Sequence, residues 1–234
     1  MIHTAIILCG GLGTRLRGVV DDLPKSMAPV SGKPFLYYQM KYLKREKINH
    51  VILACGFKHE SIQEYFGDRF EDIGISYSIE NSPLGTGGAL RNALELSLED
   101  EAIVLNGDSF FPIRLQHFFS EHQKAGAQIS IALKPMSDVE RFGMVTTDAN
   151  HRIIAFEEKG SARDGNINGG IYIVKKNLFH SFQFPESFSF EKDFMEKNLA
   201  SLRCCGFVYR DYFIDIGIPE DFKTAQLELP LYGS

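Results

Sequence analysis

Two cations, two carboxylates and a glycine-rich loop are the residues of this chain best suited to chemistry. The apolar run Ala5-Ile6-Ile7-Leu8-Cys9 breaks into Gly10-Gly11-Leu12-Gly13-Thr14-Arg15, as a buried strand does when its exit loop presses backbone against a ligand. Successive amides left uncovered by glycine form a concavity that suits an anion, and Arg15 adds a fixed fork of donors matched to phosphate. Lys25, in Pro24-Lys25-Ser26-Met27-Ala28-Pro29, is a second cation on backbone stiffened by two prolines. Together they predict a triphosphate site. Neither familiar glycine motif fits: Gly11-Leu12-Gly13-Thr14-Arg15-Leu16 lacks the third glycine of the dinucleotide fingerprint, and no Gly-Lys-Ser/Thr follows Gly13.

Asn106-Gly107-Asp108 closes the apolar run Ala102–Leu105, and ligands of open α/β sheets gather at the carboxyl ends of strands. A carboxylate there can hold Mg²⁺, which takes one or two carboxylates and completes its shell with phosphate oxygens and water. Asp215, Glu157-Glu158-Lys159 and Asn168-Gly169-Gly170 are further candidates. Taken singly, each has a structural explanation: a turn for Asn-Gly-Asp, a cap for Asp215, a solvated face for Glu-Glu-Lys, a hairpin for Asn-Gly-Gly.

The elements that must hold these residues read as an α/β, Rossmann-like fold, a mostly parallel sheet with helices on both faces. Strands are predicted at Ala5–Cys9, Val51–Ala54, Ile75–Ile79, Ala102–Leu105 and Gln128–Leu133. Helices are predicted from Pro34 through Leu43, and at Glu60–Phe66, Gly88–Leu96 and Leu115–Lys124. From about Gly143 short runs at Met144–Thr146, Ile153–Phe156 and Ile171–Val174 read as antiparallel strands with one wet face, a small subdomain. Ser189 caps a helix through Leu199, a strand follows at Cys204–Tyr209, and the last helix starts after Pro219. With no linker or repeat, residues 1–234 are expected to form a single domain. Its N-terminal half would take the nucleotide and its C-terminal half the acceptor.

A net charge of −5 without a basic block argues against nucleic acid as a partner. Cys9, Cys55, Cys204 and Cys205 lack metal-ligand spacing and suit a reducing cytoplasm. No apolar run reaches spanning length, so no membrane partner is expected. A homo-oligomer is compatible with the sequence.

Leu8-Cys9-Gly10-Gly11-Leu12-Gly13-Thr14-Arg15-Leu16 with Leu23-Pro24-Lys25 resembles the pyrophosphorylase motif of the sugar-1-phosphate nucleotidyltransferases. Five further blocks agree in order: Pro83-Leu84-Gly85-Thr86-Gly87-Gly88-Ala89, Asn106-Gly107-Asp108, Phe156-Glu157-Glu158-Lys159, Asn168-Gly169-Gly170-Ile171-Tyr172 and Asp215-Ile216-Gly217-Ile218-Pro219-Glu220-Asp221. Pro24–Pro29 with Gly32-Lys33-Pro34-Phe35-Leu36 is most similar to the bacterial heptose 1-phosphate guanylyltransferases, which usually carry proline where this chain has Ser26.

The resemblance implies a GT-A-like nucleotidyltransferase fold whose small antiparallel subdomain is sugar-binding, and transfer of GMP from GTP to a heptose 1-phosphate for bacterial surface polysaccharide synthesis. It implies catalytic roles for Arg15 on the β- and γ-phosphates and Lys25 on the α-phosphate, and Mg²⁺ held by Asp108 and Asp215. Nucleotide contacts fall to Leu8, Gly10, Gly11, Gly13, Thr14, Glu80, Pro83, Gly85, Thr86 and Gly107. Sugar-phosphate contacts fall to Gly143, Glu157, Lys159, Asn168 and Gly170. A carboxylate at Glu80 suits the two donors on one edge of guanine. Uridylyl or thymidylyl transfer to another sugar 1-phosphate, and a non-catalytic nucleotide-sugar-binding relative, are the alternatives. The chain ends soon after the Pro219 helix, so no fused acyltransferase domain is expected.

Overall fold

A computed structural model describes residues 1–11, 23–137, 139, 142–157 and 164–233. Strand β1 (Thr4–Leu8) is followed by a 3-10 turn (Lys25–Met27), the ribbon β2 (Pro29–Val30) and β3 (Lys33–Pro34), and helix α1 (Phe35–Arg45). Then come β4 (His50–Cys55), α2 (His59–Phe66), β5 (Arg69–Phe70), β6 (Ile73–Ile79), α3 (Gly85–Glu95), β7 (Glu101–Asn106), β8 (Ser109–Phe110) and α4 (Leu115–Ala125). The second half contains β9 (Ile129–Met136), β10 (Met144–Thr147), β11 (Ile153–Glu157), β12 (Gly165–Lys175), a wide π-type helix (Phe190–Glu196), β13 (Cys204–Val208), β14 (Ile214–Asp215) and α5 (Pro219–Glu228).

Strands β7, β1, β4 and β6 pair in parallel, as the uninterrupted apolar runs predict. Neighbouring β1 residues serve opposite faces: Ile7 packs in one hydrophobic cluster with Leu36 and Phe110, and Ile6 in the other with Leu90 and Tyr172. A strand buried on both faces has no polar register, hence its continuous hydrophobicity.

The antiparallel strands extend this same sheet. β12 runs antiparallel to β7 and to β9, β13 adds to β9 in parallel, and β10 and β11 lie beyond the N-terminal end of β12. The expected wet face holds for Ile153–Phe156, where Ile154 is exposed, and fails for Ile171–Val174, whose four side chains are all buried. The run Ile-Tyr-Ile-Val offers no polar residue for a wet face, and its place between β7 and β9 requires none.

Four local expectations change. Asn168-Gly169-Gly170 is no hairpin turn but an irregularity inside continuous β12, with Gly170 at φ 74°. A Cβ on Gly170 would stand 2.5 Å from Ser109 Oγ, and one on Gly169 2.5 Å from the Phe111 ring. At this irregularity β12 changes neighbour, from Met144 of β10 opposite Ile167 to Leu105 of β7 opposite Ile171. Helix α3 begins at Gly85, three residues earlier than predicted, because its glycines press against residues 186–188. Ser189 does cap its helix, its Oγ accepting from Lys192 N at 3.2 Å, but the turn there is the wide π form. Pro34 lies one residue ahead of α1, within β3.

Candidate active site

Two adjoining cavities open at the carboxyl ends of the parallel strands, the expected place for a ligand. The first, about 460 Å³, is lined by Leu8, Gly10, Gly11, Lys25, Glu80, Pro83, Gly85, Thr86, Asn106, Gly107 and Asp108 among others. It thus gathers nearly every described residue predicted to bind nucleotide or its phosphates; Leu12 to Asp22, with Gly13, Thr14 and Arg15, lie outside the described residues.

The glycines have separate physical reasons. A Cβ on Gly10 would stand 2.9 Å from Glu80 Oε1, and one on Gly107 2.6 Å from the Leu8 carbonyl. Gly107 N donates to that carbonyl at 3.1 Å, which binds the exit of β7 to the exit of β1. Glu80 Oε2 accepts from Leu84 N at 3.1 Å, and burial holds the Glu80 carboxyl above its ordinary value. Gly87 and Gly88 leave no backbone open to a ligand: a Cβ on Gly87 would strike the Phe188 ring at 2.2 Å and one on Gly88 the Glu186 carbonyl at 2.6 Å. Gly85 has φ 68° and lies against the Phe188 carbonyl. The Thr86 hydroxyl donates to Glu191 Oε2 and accepts from Phe190 N, both at 2.8 Å, so its only donor is committed.

Lys25, in the lining of this cavity, bridges two carboxylates, 2.7 Å from Asp108 Oδ2, also in the lining, and 3.6 Å from Asp215 Oδ1. The short ladder of β8 with β14 brings them together, pairing Asp215 with Ser109, while Ile216 N donates to the Asp108 carbonyl at 3.0 Å. Burial raises the Asp215 carboxyl, the like charge of Asp108 raises it further, and Lys25 and the Gly217 amide oppose both. Two carboxylates crowded until one resists ionisation form a donor set that a divalent cation relieves. Among the described residues no group of three or more His, Cys, Asp or Glu could hold a metal, so the rest of such an ion's shell would come from phosphate and water.

The second cavity, about 500 Å³, lies where β12 changes neighbour. Asn106, Gly143, Glu157, Asn168, Tyr172 and Glu191 line it, with Phe142, Met144, Val145 and Phe156 as an apolar wall and Lys192 and Glu196 completing it. Glu157 accepts from Thr146 Oγ1 at 2.9 Å. Gly143 leaves space that a Cβ would close to 3.0 Å from the Glu157 carbonyl. Gly170 is not in the lining; its positive φ shapes the strand beneath. Lys159 lies outside the described residues.

Residues 4–230 match the family described as Nucleotidyl transferase. The chain belongs to this nucleotidyl transferase family. It is 50% identical over 228 residues, 97% of this chain and 99% of the relative, to D-glycero-alpha-D-manno-heptose 1-phosphate guanylyltransferase of Aneurinibacillus thermoaerophilus. Its Campylobacter jejuni counterpart is 49% identical over 93% of this chain and 96% of its own length. HddC from Yersinia pseudotuberculosis complexed with GMP-PN superposes with a TM-score of 0.85 at 36% identity, covering 96% of this chain and 98% of that one.

Within this nucleotidyl transferase fold, the cavity walls contain residues to which sequence reasoning gave no role, Asn106, Tyr172 and Glu191 among them. Asn106 borders both cavities, and its buried Oδ1 has no partner among the described residues. Its signal was available, since it ends β7 directly before Gly107-Asp108. Tyr172 and Glu191 gave none: the first reads as core, the second as a solvated acid in Phe-Glu-Lys-Asp. Buried His122 contacts Ser130 Oγ at 2.8 Å and Glu101 Oε1 at 3.3 Å, an arrangement suggestive of nucleophilic catalysis. Ser130 is wholly buried, however, and burial lowers the imidazole's pKa, so these groups tie α4 to the sheet.

Proposed function

We propose that this protein transfers GMP from GTP to D-glycero-alpha-D-manno-heptose 1-phosphate, giving GDP-heptose and pyrophosphate. The observation that carries the reading is the pair of cavities that share Asn106, with Lys25 in the lining of the first and held between Asp108 and Asp215. The match to heptose 1-phosphate guanylyltransferases over nearly the full length of both chains supports the nucleobase and the sugar.

An oxygen of the sugar phosphate attacks the α-phosphorus of GTP; the new P–O bond forms as the bond to the β-phosphate oxygen breaks, and pyrophosphate leaves with that electron pair. The nucleophile is already an anion, so no general base is required. Rate enhancement then comes from lining up two repelling anions and neutralising the charge that builds at the α-phosphate. Lys25 turns from Asp108 to the α-phosphate oxygens, Arg15 holds the β- and γ-phosphates, and Lys159 holds the sugar phosphate. Glu80 accepts from the guanine edge. Glu157 and Asn168 read sugar hydroxyls, and the partnerless Asn106 Oδ1 accepts one more donor at the boundary of the two sites. Asp108 and Asp215 would hold Mg²⁺, which supplies Lewis-acid charge and a template between the two phosphates.

The reaction is assigned to the cytoplasm, where GTP is made and where four free thiols stay reduced. The product would feed surface polysaccharide assembly, and residues 1–234 would act as one domain. Incubation with GTP, Mg²⁺ and the heptose 1-phosphate, followed by mass analysis of the nucleotide fraction, tests the reading. GDP-heptose with equimolar pyrophosphate is expected; unchanged GTP would refute it.

A further inference from the structure

Glu191 stands between the two cavities, and its two oxygens are divided between their walls. Oε2 accepts from Thr86 Oγ1 at 2.8 Å and Ser189 Oγ at 3.2 Å, on the nucleotide side. Oε1 accepts from Tyr172 OH at 2.9 Å, on the acceptor side. An ionised carboxylate only accepts, so the Tyr172 proton is committed to it and the phenol oxygen must in turn accept. It does so from Asn168 Nδ2 at 2.8 Å, while Asn168 Oδ1 accepts from Gly170 N at 3.0 Å. The chain of donors therefore has one direction, and it fixes which end of the Asn168 amide points where. Among the described residues one N–H and one oxygen lone pair of that amide remain uncommitted, and Asn168 lines the second cavity.

We propose that Glu191 is a positioning residue for the sugar 1-phosphate: it sets the hydrogen-bond polarity of Asn168 through Tyr172 while it anchors Thr86 on the opposite wall. The inference rests on the transferase reading above. Glu191 itself need not touch the reacting phosphates. Its effect is to present a donor and an acceptor, in fixed order, to two neighbouring sugar hydroxyls. A sugar whose hydroxyls carry the complementary pattern gains both bonds without reorienting the site, which is the advantage of preorganisation.

Three variants test this: Glu191→Gln, which replaces one acceptor oxygen by a donor; Tyr172→Phe, which keeps the ring and removes the relay; and the double variant. Steady-state kinetics with GTP and heptose 1-phosphate varied separately would be read beside thermal melting. Each single variant is expected to raise the sugar-phosphate KM by about tenfold to a hundredfold, the worth of a hydrogen bond to a charged group, and Tyr172→Phe, which leaves the Thr86 anchor intact, to keep the GTP KM within about twofold. The double variant should be no worse than the more affected single one, because both act through one chain. A merely structural role would lower the melting temperature and kcat and leave the sugar-phosphate KM unchanged; that result, or effects that multiply in the double variant, would overturn the proposal. Calorimetric titration of heptose 1-phosphate onto protein holding a non-hydrolysable GTP analogue separates the two readings. A wild type that binds the sugar phosphate, loses that binding in both variants, yet transfers no guanylate would sink the transferase reading alone; a wild type that never binds it would sink both.

Discussion

Lys25 Nζ lies 2.7 Å from Asp108 Oδ2, so the lysine is held by one of the carboxylates proposed to hold a metal. Asp215, 3.6 Å from the same nitrogen, completes a cluster of one positive and two negative charges. Were Asp108 and Asp215 to hold a divalent cation, its charge would stand in for the lysine's beside them and Lys25 would be free to meet phosphate. Lys25→Ala should therefore lower kcat more than it weakens substrate binding. Removing one contact to charge that develops in the transition state costs about 2.7–4 kcal/mol, roughly a hundred- to thousandfold in rate. Steady-state kinetics would reveal it, and an unchanged kcat would remove Lys25 from the chemistry.

Asp108→Asn and Asp215→Asn should each lose most activity, and the double variant should lose little more. Carboxylates that share one ion act as a unit, so their effects do not add. Independent, multiplying losses would show that they serve different tasks.

Acid should expose Asp215. Its carboxyl titrates above the ordinary aspartate value, chiefly through burial and then through Asp108. A carboxyl raised by folding costs stability as it ionises, between its unfolded and its folded pKa, and that cost is absent at lower pH. For function the ionised form is needed, so activity should fall as pH drops through the raised value. More Mg²⁺ should move that limb to lower pH, because the cation favours the carboxylate. An acid limb insensitive to the metal would disconnect Asp215 from it.

Glu80 offers a test of base recognition. Burial raises its carboxyl, so its charge at neutral pH is a cost to the free protein. Glu80→Gln should melt no lower than the wild type, keeping an acceptor for Leu84 N, and should raise the KM for GTP. Inosine triphosphate lacks the 2-amino group, so the preference for GTP over it should shrink in the variant. A preference that survives intact would assign guanine reading to other groups.

The glycine-rich start of α3 should behave as a packing device. Gly85→Ala would force an alanine to φ 68° and bring its Cβ to 2.5 Å from the Phe188 carbonyl, a strain of about 1–3 kcal/mol. The melting temperature should drop accordingly. An unchanged melting curve would show that residues 186–188 yield freely.

These relationships divide by range along the chain. The parallel strands were legible because burial on both faces leaves an apolar run, the loop residues Gly10 and Asp108 because each follows a strand exit, and Lys25 because it is a cation in a segment that two prolines stiffen. What escaped was long-range: Glu191 reaches Thr86 across 105 positions of sequence, and no local pattern marks it. Asn168-Gly169-Gly170 reads as a turn from composition alone, and only the tight approach of Ser109 and Phe111 shows why glycines occur inside a strand.

Guanylyl transfer to a seven-carbon sugar phosphate can be tested by pyrophosphate release across a grid of nucleoside triphosphates and sugar 1-phosphates. GTP and UTP, each with heptose 1-phosphate and with mannose 1-phosphate, are enough, with kcat/KM compared in Mg²⁺. The highest value should fall on GTP with the heptose, and changing either partner should lower it. A higher value with UTP would overturn the guanylyl assignment, a higher value with mannose 1-phosphate would overturn the heptose assignment, and no release from any pair would contradict transferase activity itself.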